Sequence, residues 1–261
     1  MFQRKTKLYE RIAFLASDTP DAQAAAERLG ERYGSCEPEK ADVIVALGGD
    51  GFMLATQHRF MNSGVPVYGM NKGTVGFLMN EFSEEDLPQR LAASTPRVIR
   101  PLDMEARDAD GKIHRAKAIN EVSLLRQSYQ AASLGIRIDG RTRLDPLICD
   151  GVLLSTPAGS TAYNLSAHGP ILPLDAPLLA LTPVSAFRPR RWRGALIPDA
   201  SIIEITVNEI AKRPVNAVAD HFEVKSVAHV RIALDHDSSG IILFDPEHSW
   251  EERILAEQFQ Y

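Results

Sequence analysis

One stretch constrains the fold more than any other: an apolar segment that stops abruptly at closely spaced glycines. Residues 43–47 read Val-Ile-Val-Ala-Leu. An uninterrupted apolar run rich in β-branched residues is typical of a strand buried on both faces. The turn Gly48-Gly49-Asp50-Gly51 follows, and the segment from Phe52 onward favours a helix. A strand, a glycine turn and a helix N-terminus together present backbone N–H groups and the positive end of a helix dipole to an anion.

The glycine turn carries one carboxylate, Asp50. This charge would repel a bare phosphate group, so it has a use only where the turn also places a hydroxyl group beside the phosphate. The Rossmann fingerprint needs a further small residue after the turn, and the P-loop needs GxxxxGK[ST]; the turn satisfies neither pattern. A plain strand-to-helix turn, with Asp50 capping the helix N-terminus, explains these four residues about as well as a phosphate site.

Composition excludes several classes of protein. The 261 residues are 44% hydrophobic and 24% charged, which is an ordinary globular balance with room for one large domain or two small ones. The formal net charge of -5 argues against a nucleic-acid partner. Cys36 and Cys149 give neither a disulfide framework nor a zinc spacing. No apolar leader or membrane-spanning run is evident, so we expect a cytoplasmic protein with no membrane partner.

The first hundred residues alternate between strand and helix patterns. The apolar segments 12–16, 43–47 and 65–70 predict strands, and the segments 21–33 and 52–62 predict helices. Such alternation with short loops predicts a parallel α/β sheet, whose ligands bind beyond the carboxyl ends of the strands. The glycine turn and a second glycine-bearing loop, at residues 71–78, both lie at that edge.

After residue 100 the pattern changes to alternating strands separated by turn signals, such as the hairpin candidate at residues 108–111. We therefore predict an α/β domain over residues 1–100 and a β-rich domain over residues 101–261. A helical tail at about 246–261 is expected to pack back on the first domain.

Two polar segments stand out in the second domain. Asn120 and Glu121 interrupt an apolar run at residues 116–125. If buried, they need hydrogen-bond partners, and their amide and carboxylate suit sugar hydroxyls or a base edge; alternatively the strand is exposed there. Residues 150–166 hold an apolar strand followed by Ser-Thr-Pro-Ala-Gly-Ser-Thr-Ala-Tyr-Asn. This hydroxyl-rich turn would line a polar pocket, or it is simply a capped strand-to-helix loop.

Taken together, the glycine turn, Asn120-Glu121 and the segment 150–166 resemble the NAD kinase family in order and spacing over most of the chain. The long third motif is specific, whereas the glycine turn is shared with diacylglycerol kinase and 6-phosphofructokinase relatives. The resemblance implies an α/β domain followed by a β-rich domain. It implies transfer of the ATP γ-phosphoryl group to the 2′-hydroxyl of the adenosine ribose of NAD, giving NADP. It also implies a divalent metal, with Mg²⁺ expected, and a homodimer or homotetramer.

The resemblance also implies roles for residues. Asp50 corresponds to the proton acceptor, and Gly48 and Gly49 correspond to the turn that cradles phosphate. The implied NAD contacts come from all three motifs: Asp50, Gly51, Asn120, Glu121, Asp150, Ala158, Thr161, Ala162, Tyr163, Asn164, Leu165 and Ser166. No metal ligand is identified.

The chain departs from the family pattern at two places. The family commonly continues Ala-Gly-Gly-Pro after the serine corresponding to Ser166, whereas His168 here replaces the first glycine. An Asp-Gly pair common near the C-terminus is Asp220-His221 here, and His221 is either a phosphate contact or a plain surface residue. Two other functions stay open: a lipid or sugar kinase that shares the glycine turn, and a dinucleotide-binding regulator without catalysis.

The basic cluster Arg188–Arg193 generates a prediction of its own. Four arginines beside Trp192 on a net acidic chain suit an assembly surface or a phosphate grip better than a nucleic-acid site. Replacing Arg190, Arg191 and Arg193 with Glu should change subunit association or the KM for ATP or NAD. Salt-sensitive submicromolar binding of random duplex DNA by the unmodified protein would contradict this assignment.

Overall fold

The computed structural model describes residues 9–73, 76–248 and 250–259. The chain divides into two compact units: Met1–Ile99 with Ser238–Tyr261, and Arg100–Asp237. The first is an α/β unit and the second is almost entirely β, so the predicted fold class is confirmed.

Seventeen strands and five α-helices are assigned within the described ranges. The strands are β1 Ile12–Ala16, β2 Val43–Gly48, β3 Val67–Asn71, β4 Thr95–Ile99, β5 Leu102–Asp108, β6 Ile113–Ala118, β7 Glu121–Arg126, β8 Ala132–Ile138, β9 Arg141–Cys149, β10 Gly151–Ser155, β11 Leu178–Val184, β12 Ala195–Pro198, β13 Ile203–Val207, β14 Val215–Ala219, β15 Phe222–Val224, β16 Val227–Leu234 and β17 Gly240–Phe244. The helices are α1 Pro20–Tyr33, α2 Asp50–Arg59, α3 Leu87–Ala93, α4 Tyr163–Ser166 and α5 Trp250–Gln258. In the part of the chain just described, no helix has the length and apolar character needed to cross a membrane.

The first unit is built on a five-stranded sheet in the order β1-β2-β3-β17-β4. Strands β1, β2, β3 and β17 run parallel to one another, and the edge strand β4 is antiparallel to β17. Strand β2 is buried along its whole length, as its apolar sequence predicts. Helix α1 buries Ala22, Ala25 and Leu29, whose spacing places them on one face. It ends before Gly34, which adopts the left-handed φ of 77° that glycine tolerates.

The chain returns to the first unit before the predicted helical tail. Strand β17 inserts between β3 and β4, so the return includes Ser238 onward rather than only the tail from residue 246. Helix α5 then buries Trp250 and Ile254 within this unit. The short strand β17 reads in sequence like any other β segment, and only its pairing partners assign it to a unit.

The second unit consists of two six-stranded sheets, β12-β11-β10-β7-β14-β15 and β6-β5-β16-β13-β8-β9, with antiparallel pairing throughout the registers described. Alternate residues of β5, beginning with Leu102 and Met104, are buried, which is the pattern of a strand with one face in a core. Buried side chains of both sheets, such as Val152 and Ile205, belong to one apolar cluster. The sheets therefore share a single core.

The interpretation of Asn120 and Glu121 as a break within one strand is wrong. Strand β6 ends at Ala118 and β7 begins at Glu121, and the two strands belong to different sheets. The polar pair lies where the chain crosses between sheets. The apolar run hid this crossing because both strands bury side chains in the same core.

Candidate active site

The glycine turn joins β2 to α2 with little side-chain bulk on its outer side. Cβ atoms built on Gly49 and Gly51 would meet no heavy atom of the described residues within 4 Å. A Cβ on Gly48 would instead lie 2.9 Å from the Cβ of Phe52, so this position requires glycine. The N-terminus of α2 therefore faces open space at Gly49 and Gly51, as an anion-binding helix end requires.

The second glycine-bearing loop packs directly on this turn. The backbone N–H of Lys72 donates to the carbonyl of Gly48 at 2.7 Å. A Cβ on Gly73 would lie 3.6 Å from the Cα of Gly49, so two backbones approach each other closely. The two loops predicted to share the carboxyl edge of the sheet are therefore in contact.

Asp50 does not cap its own helix. The N-cap is Gly49, Asp50 is the first residue of α2, and no side-chain capping bond is formed. The carboxylate instead accepts the backbone N–H of Phe77 at 2.8 Å and that of Leu78 at 3.0 Å. The capping interpretation of this residue is therefore wrong, because the second loop supplies N–H donors that the local sequence does not contain.

Burial raises the pKa of Asp50 above its ordinary value of 3.8. The N–H groups of Leu78 and Phe77 and the positive charge of Arg253 act in the opposite direction but do not cancel the effect of burial. A carboxylate that is less acidic than usual, held at the start of a helix beside an open glycine turn, is suited to accept a proton.

In the second unit, a half-buried carboxylate holds the polar pair in place. Asp220 accepts the backbone N–H groups of Ile119 at 2.7 Å, Asn120 at 3.0 Å and Glu121 at 3.3 Å. Three N–H groups converging on one carboxylate fix the course of the crossing segment. The sequence pattern singled out Asp220 for its place in a motif and did not predict this contact.

Two oxygens of the polar pair are buried and unbonded. Oδ1 of Asn120 and Oε2 of Glu121 have no hydrogen-bond partner within the described residues. Burial, together with the nearby charge of Asp220, raises the pKa of Glu121 to about 7. Buried polar atoms without partners are rare in proteins, and those at a ligand site are paired when the ligand binds.

The hydroxyl-rich segment packs against the backbone of Ile119 and Asn120. Thr156 donates its hydroxyl to the carbonyl of Ile119 at 2.6 Å and accepts the N–H of Gly159 at 3.0 Å. A Cβ on Gly159 would lie 2.2 Å from the carbonyl oxygen of Asn120, so only glycine allows this approach. The expected turn is a 3-10 helix over Ala158–Thr161 that leads into α4.

Asp150 and Tyr163 lie near this segment. Asp150 forms an ion pair with Arg126 at 2.6 Å. Burial raises the pKa of Tyr163, and the negative charges of Glu121 and Asp150 raise it further. Tyr163 therefore lies within electrostatic range of both Glu121 and Asp150, which stand at opposite ends of the pairing between β7 and β10.

The remaining residues of the motif divide into internal and accessible groups. Asn164 is fully buried; its Nδ2 donates to the carbonyls of Ser160 and Pro170, and its Oδ1 accepts the hydroxyl of Thr182. These bonds favour a role for Asn164 in shaping the loop. Ala158 and Thr161 are also buried, Ala162 and Leu165 are half-buried, and Ser166 is exposed.

His168, the residue that replaces a family glycine, has a φ of 61°. This left-handed backbone favours glycine, although histidine adopts it more readily than most residues. The following Gly169 cannot be replaced without displacement, because its Cβ would lie 2.1 Å from Oδ1 of Asn164. The backbone at position 168 therefore keeps a conformation typical of glycine, although the residue is histidine.

The structure also places two other features of the sequence, Cys149 and the basic cluster Arg188–Arg193. Burial raises the pKa of the Cys149 thiol to about 12, so this residue is an apolar filler and not a nucleophile. In the basic cluster, the guanidinium groups of Arg188 and Arg190 lie 5.6 and 5.4 Å from the ring centroid of the exposed Phe187.

Metal ligands are not clustered in either unit as far as the structure describes it: no group of three or more His, Cys, Asp or Glu side chains is placed to hold an ion. Mg²⁺ commonly binds through one or two carboxylates together with substrate phosphates and water, and this mode does not need such a cluster. The open glycine turn at Gly49 and Gly51 leaves room for nucleotide phosphates and is compatible with that mode.

Comparison with known proteins identifies the class. Residues 4–96 match the ATP-NAD kinase N-terminal domain, and residues 119–234 match the ATP-NAD kinase C-terminal domain. The chain is 64% identical to the NAD kinase of Rhizobium meliloti (strain 1021) over 251 residues, which are 96% of this chain and 98% of that protein. It is 60% identical to the NAD kinase of Caulobacter vibrioides (strain ATCC 19089 / CIP 103742 / CB 15) over 249 residues, 95% of this chain and 96% of that protein.

Solved structures share the fold. Yeast NADH kinase complexed with NADH superposes with a TM-score of 0.81 at 22% identity, covering 96% of this chain and 87% of that one. An NAD kinase from Archaeoglobus fulgidus in complex with ATP gives a TM-score of 0.72 at 22% identity, covering 91% and 95%. The fold and the sequence matches define a kinase built from an α/β unit and a β unit. The chain belongs to the NAD kinase family.

The raised pKa of Glu121 predicts a stability effect. Between its ordinary value of 4.5 and about 7, the folded protein holds a proton that the unfolded chain releases, so stability falls as pH rises through this window. Glu121→Gln cannot ionise and should be more stable than the unmodified protein at pH 8 by roughly 1–3 kcal/mol, with little difference below pH ~4.5. Urea denaturation at the two pH values measures both differences. Glu105→Gln, at an exposed ion pair, is the control, and an equal gain at both pH values would contradict the assignment.

Proposed function

We propose that this chain transfers the γ-phosphoryl group of ATP to the 2′-hydroxyl of the adenosine ribose of NAD and so forms NADP. Family membership supports the reaction, and the position of Asp50 is the observation that carries the assignment of residues. A half-buried carboxylate with a raised pKa stands at the start of α2, between two glycines that leave open space. Dinucleotide binding alone has no use for such a base.

In this proposal the first unit serves the phosphates and the reacting hydroxyl. Gly48 and Gly49 shape the turn whose N–H groups and helix dipole stabilise phosphate charge, and Gly51 allows the dinucleotide to approach the backbone. Asp50 orients the ribose hydroxyl. Even with a raised pKa, a carboxylate is far too weak a base to ionise an alcohol beforehand, so it takes the proton late, as the new P–O bond forms.

Mg²⁺ is proposed as the divalent metal, held by the phosphates of ATP and by water. When bound, it neutralises charge on the phosphate oxygens.

The second unit recognises the dinucleotide. Oδ1 of Asn120 and Oε2 of Glu121 gain partners from hydroxyl or amino groups of NAD, and this removes the cost of leaving them unbonded. Tyr163 and Asp150 supply further polar contacts. The loop residues Ala158, Thr161, Ala162, Leu165 and Ser166 wrap the dinucleotide, and Asn164 holds the loop in shape from inside.

We further propose a cytoplasmic homodimer or homotetramer that binds neither nucleic acid nor membranes. The net negative charge and the sparse, unpaired cysteines support this proposal. The arginine cluster beside the exposed Phe187 is the surface proposed to take part in assembly or phosphate binding.

Incubation of the protein with NAD, ATP and Mg²⁺ tests the reaction. NADP and ADP formed in equal amounts support it. A regulator would bind NAD without producing NADP. A lipid or sugar kinase would release ADP only when given its own acceptor, and either result would contradict the proposal.

Asp50→Asn tests the base. Because a base acts in the transition state, kcat should fall roughly a hundredfold or more, while the Kd for NAD changes little. The unmodified enzyme should also lose kcat on the acid side at a pH above that of an ordinary aspartate, because burial raises the pKa of Asp50. The residual activity of the variant should lack this dependence. Steady-state kinetics across pH and calorimetric NAD binding supply the measurements.

Asp42→Asn is the matched control, since Asp42 pairs with Arg11 at the surface of the same unit and should leave kcat unchanged. Asparagine also offers Phe77 and Leu78 only one acceptor, so loop displacement alone lowers kcat to some degree. Only loss of the base removes the fall of kcat at low pH. The pH profile of the variant therefore distinguishes loss of the base from displacement of the loop. An Asp50→Asn variant that keeps most of its kcat would eliminate the catalytic role.

Asn120→Ala tests dinucleotide recognition. Loss of a buried hydrogen bond to NAD should raise the KM for NAD about tenfold, with a smaller effect on kcat. Asn208→Ala, which removes a surface bond to Asp145, serves as the control. An unchanged KM in a folded variant would remove the polar pair from the site.

A further inference from the structure

The C-terminal helix reaches the segment that holds Asp50. Helix α5 is anchored by the buried side chains of Trp250 and Ile254. Between them, Arg253 is half-buried, and its guanidinium lies 5.5 Å from the ring centroid of Phe244. Arg253 belongs to none of the sequence motifs, and it lies more than two hundred residues from Asp50 along the chain.

Arg253 and Asp50 both bind backbone groups of the same short segment, residues 76–78. Nη1 of Arg253 donates to the carbonyl of Gly76 at 3.0 Å and to that of Phe77 at 2.9 Å. The carboxylate of Asp50 accepts the N–H groups of Phe77 and Leu78. Each charged group therefore satisfies the backbone atoms that the other leaves open.

The backbone of this segment passes close to the Asp50 carboxylate. A Cβ on Gly76 would lie 2.7 Å from Cγ of Met79 and 3.3 Å from Oδ1 of Asp50. A side chain at position 76 would therefore be crowded by Met79 and by the Asp50 carboxylate. A shift of the two carbonyls bound by Arg253 would carry with it the two N–H groups that orient Asp50.

The charged groups around this segment form two pairs of opposite sign: Asp245 with Arg90, and Asp50 with Arg253. Asp245 accepts hydrogen bonds from Arg90 at 2.6 Å and from the Tyr68 hydroxyl at 2.7 and 2.8 Å. Burial lowers the pKa of Arg253, and the charges of Asp50, then Asp245 and Tyr68, raise it. Because Arg90 already neutralises Asp245, Arg253 is the cation that faces Asp50 from α5. The backbone N–H groups of Phe77 and Leu78, in the second loop, donate to the same Asp50 carboxylate.

We propose that Arg253 is a positioning residue of the phosphoryl transfer. It holds the carbonyls of Gly76 and Phe77 so that the loop keeps Asp50 aimed at the ribose hydroxyl, and its charge favours the ionised carboxylate. This inference rests on the proposed role of Asp50 as the proton acceptor. It assigns the C-terminal helix a part in the reaction beyond completing the fold of the first unit.

Arg253→Gln tests the inference in the full-length protein. Loss of the charge and of one or both bonds should lower kcat about tenfold or more and move the acid limb of the kcat profile to higher pH by about one unit, because the positive charge that opposes protonation of Asp50 is gone. The Kd for NAD should stay within about twofold. Arg253→Lys keeps the charge and can donate more than one bond, so it should restore the acid limb and most of kcat. Arg32→Gln, at an exposed ion pair with Glu85, is the control for loss of an arginine.

A double-mutant cycle with Asp50→Asn separates positioning from general destabilisation. If Arg253 acts through Asp50, adding Arg253→Gln to the Asp50→Asn variant should lower kcat by less than about twofold. A full further tenfold loss would overturn the inference. Thermal unfolding is measured in parallel. If the Gln variant melts below the assay temperature, Arg253→Met, which keeps the apolar stem over Phe244, takes its place with the same expected results.

The outcomes distinguish the inference from the proposal on which it depends. Unchanged kcat and acid limb in Arg253→Gln, with activity lost in Asp50→Asn, would overturn the role of Arg253 and leave the proposed function intact. Retention of kcat in Asp50→Asn would overturn both.

Discussion

The two hydrogen bonds that Asp50 accepts from Phe77 and Leu78 connect the parts of the first unit on which the proposed reaction depends. They tie the turn after β2 to the loop after β3. Two local features accompany this contact: glycine at position 76, where the backbone passes the carboxylate, and Arg253, which donates to the carbonyls of the same segment. Without the contact, the carboxylate at the helix N-terminus would be free to rotate, and the insertion of β17 and α5 into this unit would have no bearing on the site.

The second unit shows a different use of a half-buried carboxylate. Asp220 is bonded to three N–H groups and serves the fold, whereas Glu121 beside it is left with an unbonded oxygen and a raised pKa. Burying a polar atom without a partner costs stability in the unbound protein. In the proposed function, that cost is recovered when NAD supplies the partner, so binding affinity is gained where stability was lost.

Departures from the family pattern gain a physical meaning in the structure. His168 occupies a glycine position and adopts the glycine backbone conformation, because Asn164 and Gly169 pack against each other and fix the course of the loop. The loop is held from inside by bonds to Ser160, Pro170 and Thr182. Its shape therefore does not depend on the identity of residue 168, and a side chain at this position is tolerated at the cost of a left-handed φ.

The sequence alone determined the class of fold and most strands and helices of the α/β unit, because local periodicity and glycine chemistry act over a few residues. It also singled out the residue sets of the proposed site, Gly48–Gly51, Asn120-Glu121 and Asp150–Ser166. It assigned the family from the same motifs. Tertiary structure decided the rest: that Asp50 bonds to a distant loop and not to its own helix, that the polar pair lies at a crossing between sheets, that β17 belongs to the first unit, and that Arg253 faces Asp50. These contacts join residues that are tens to hundreds of positions apart, and they follow from strand pairing and core packing that no local pattern encodes.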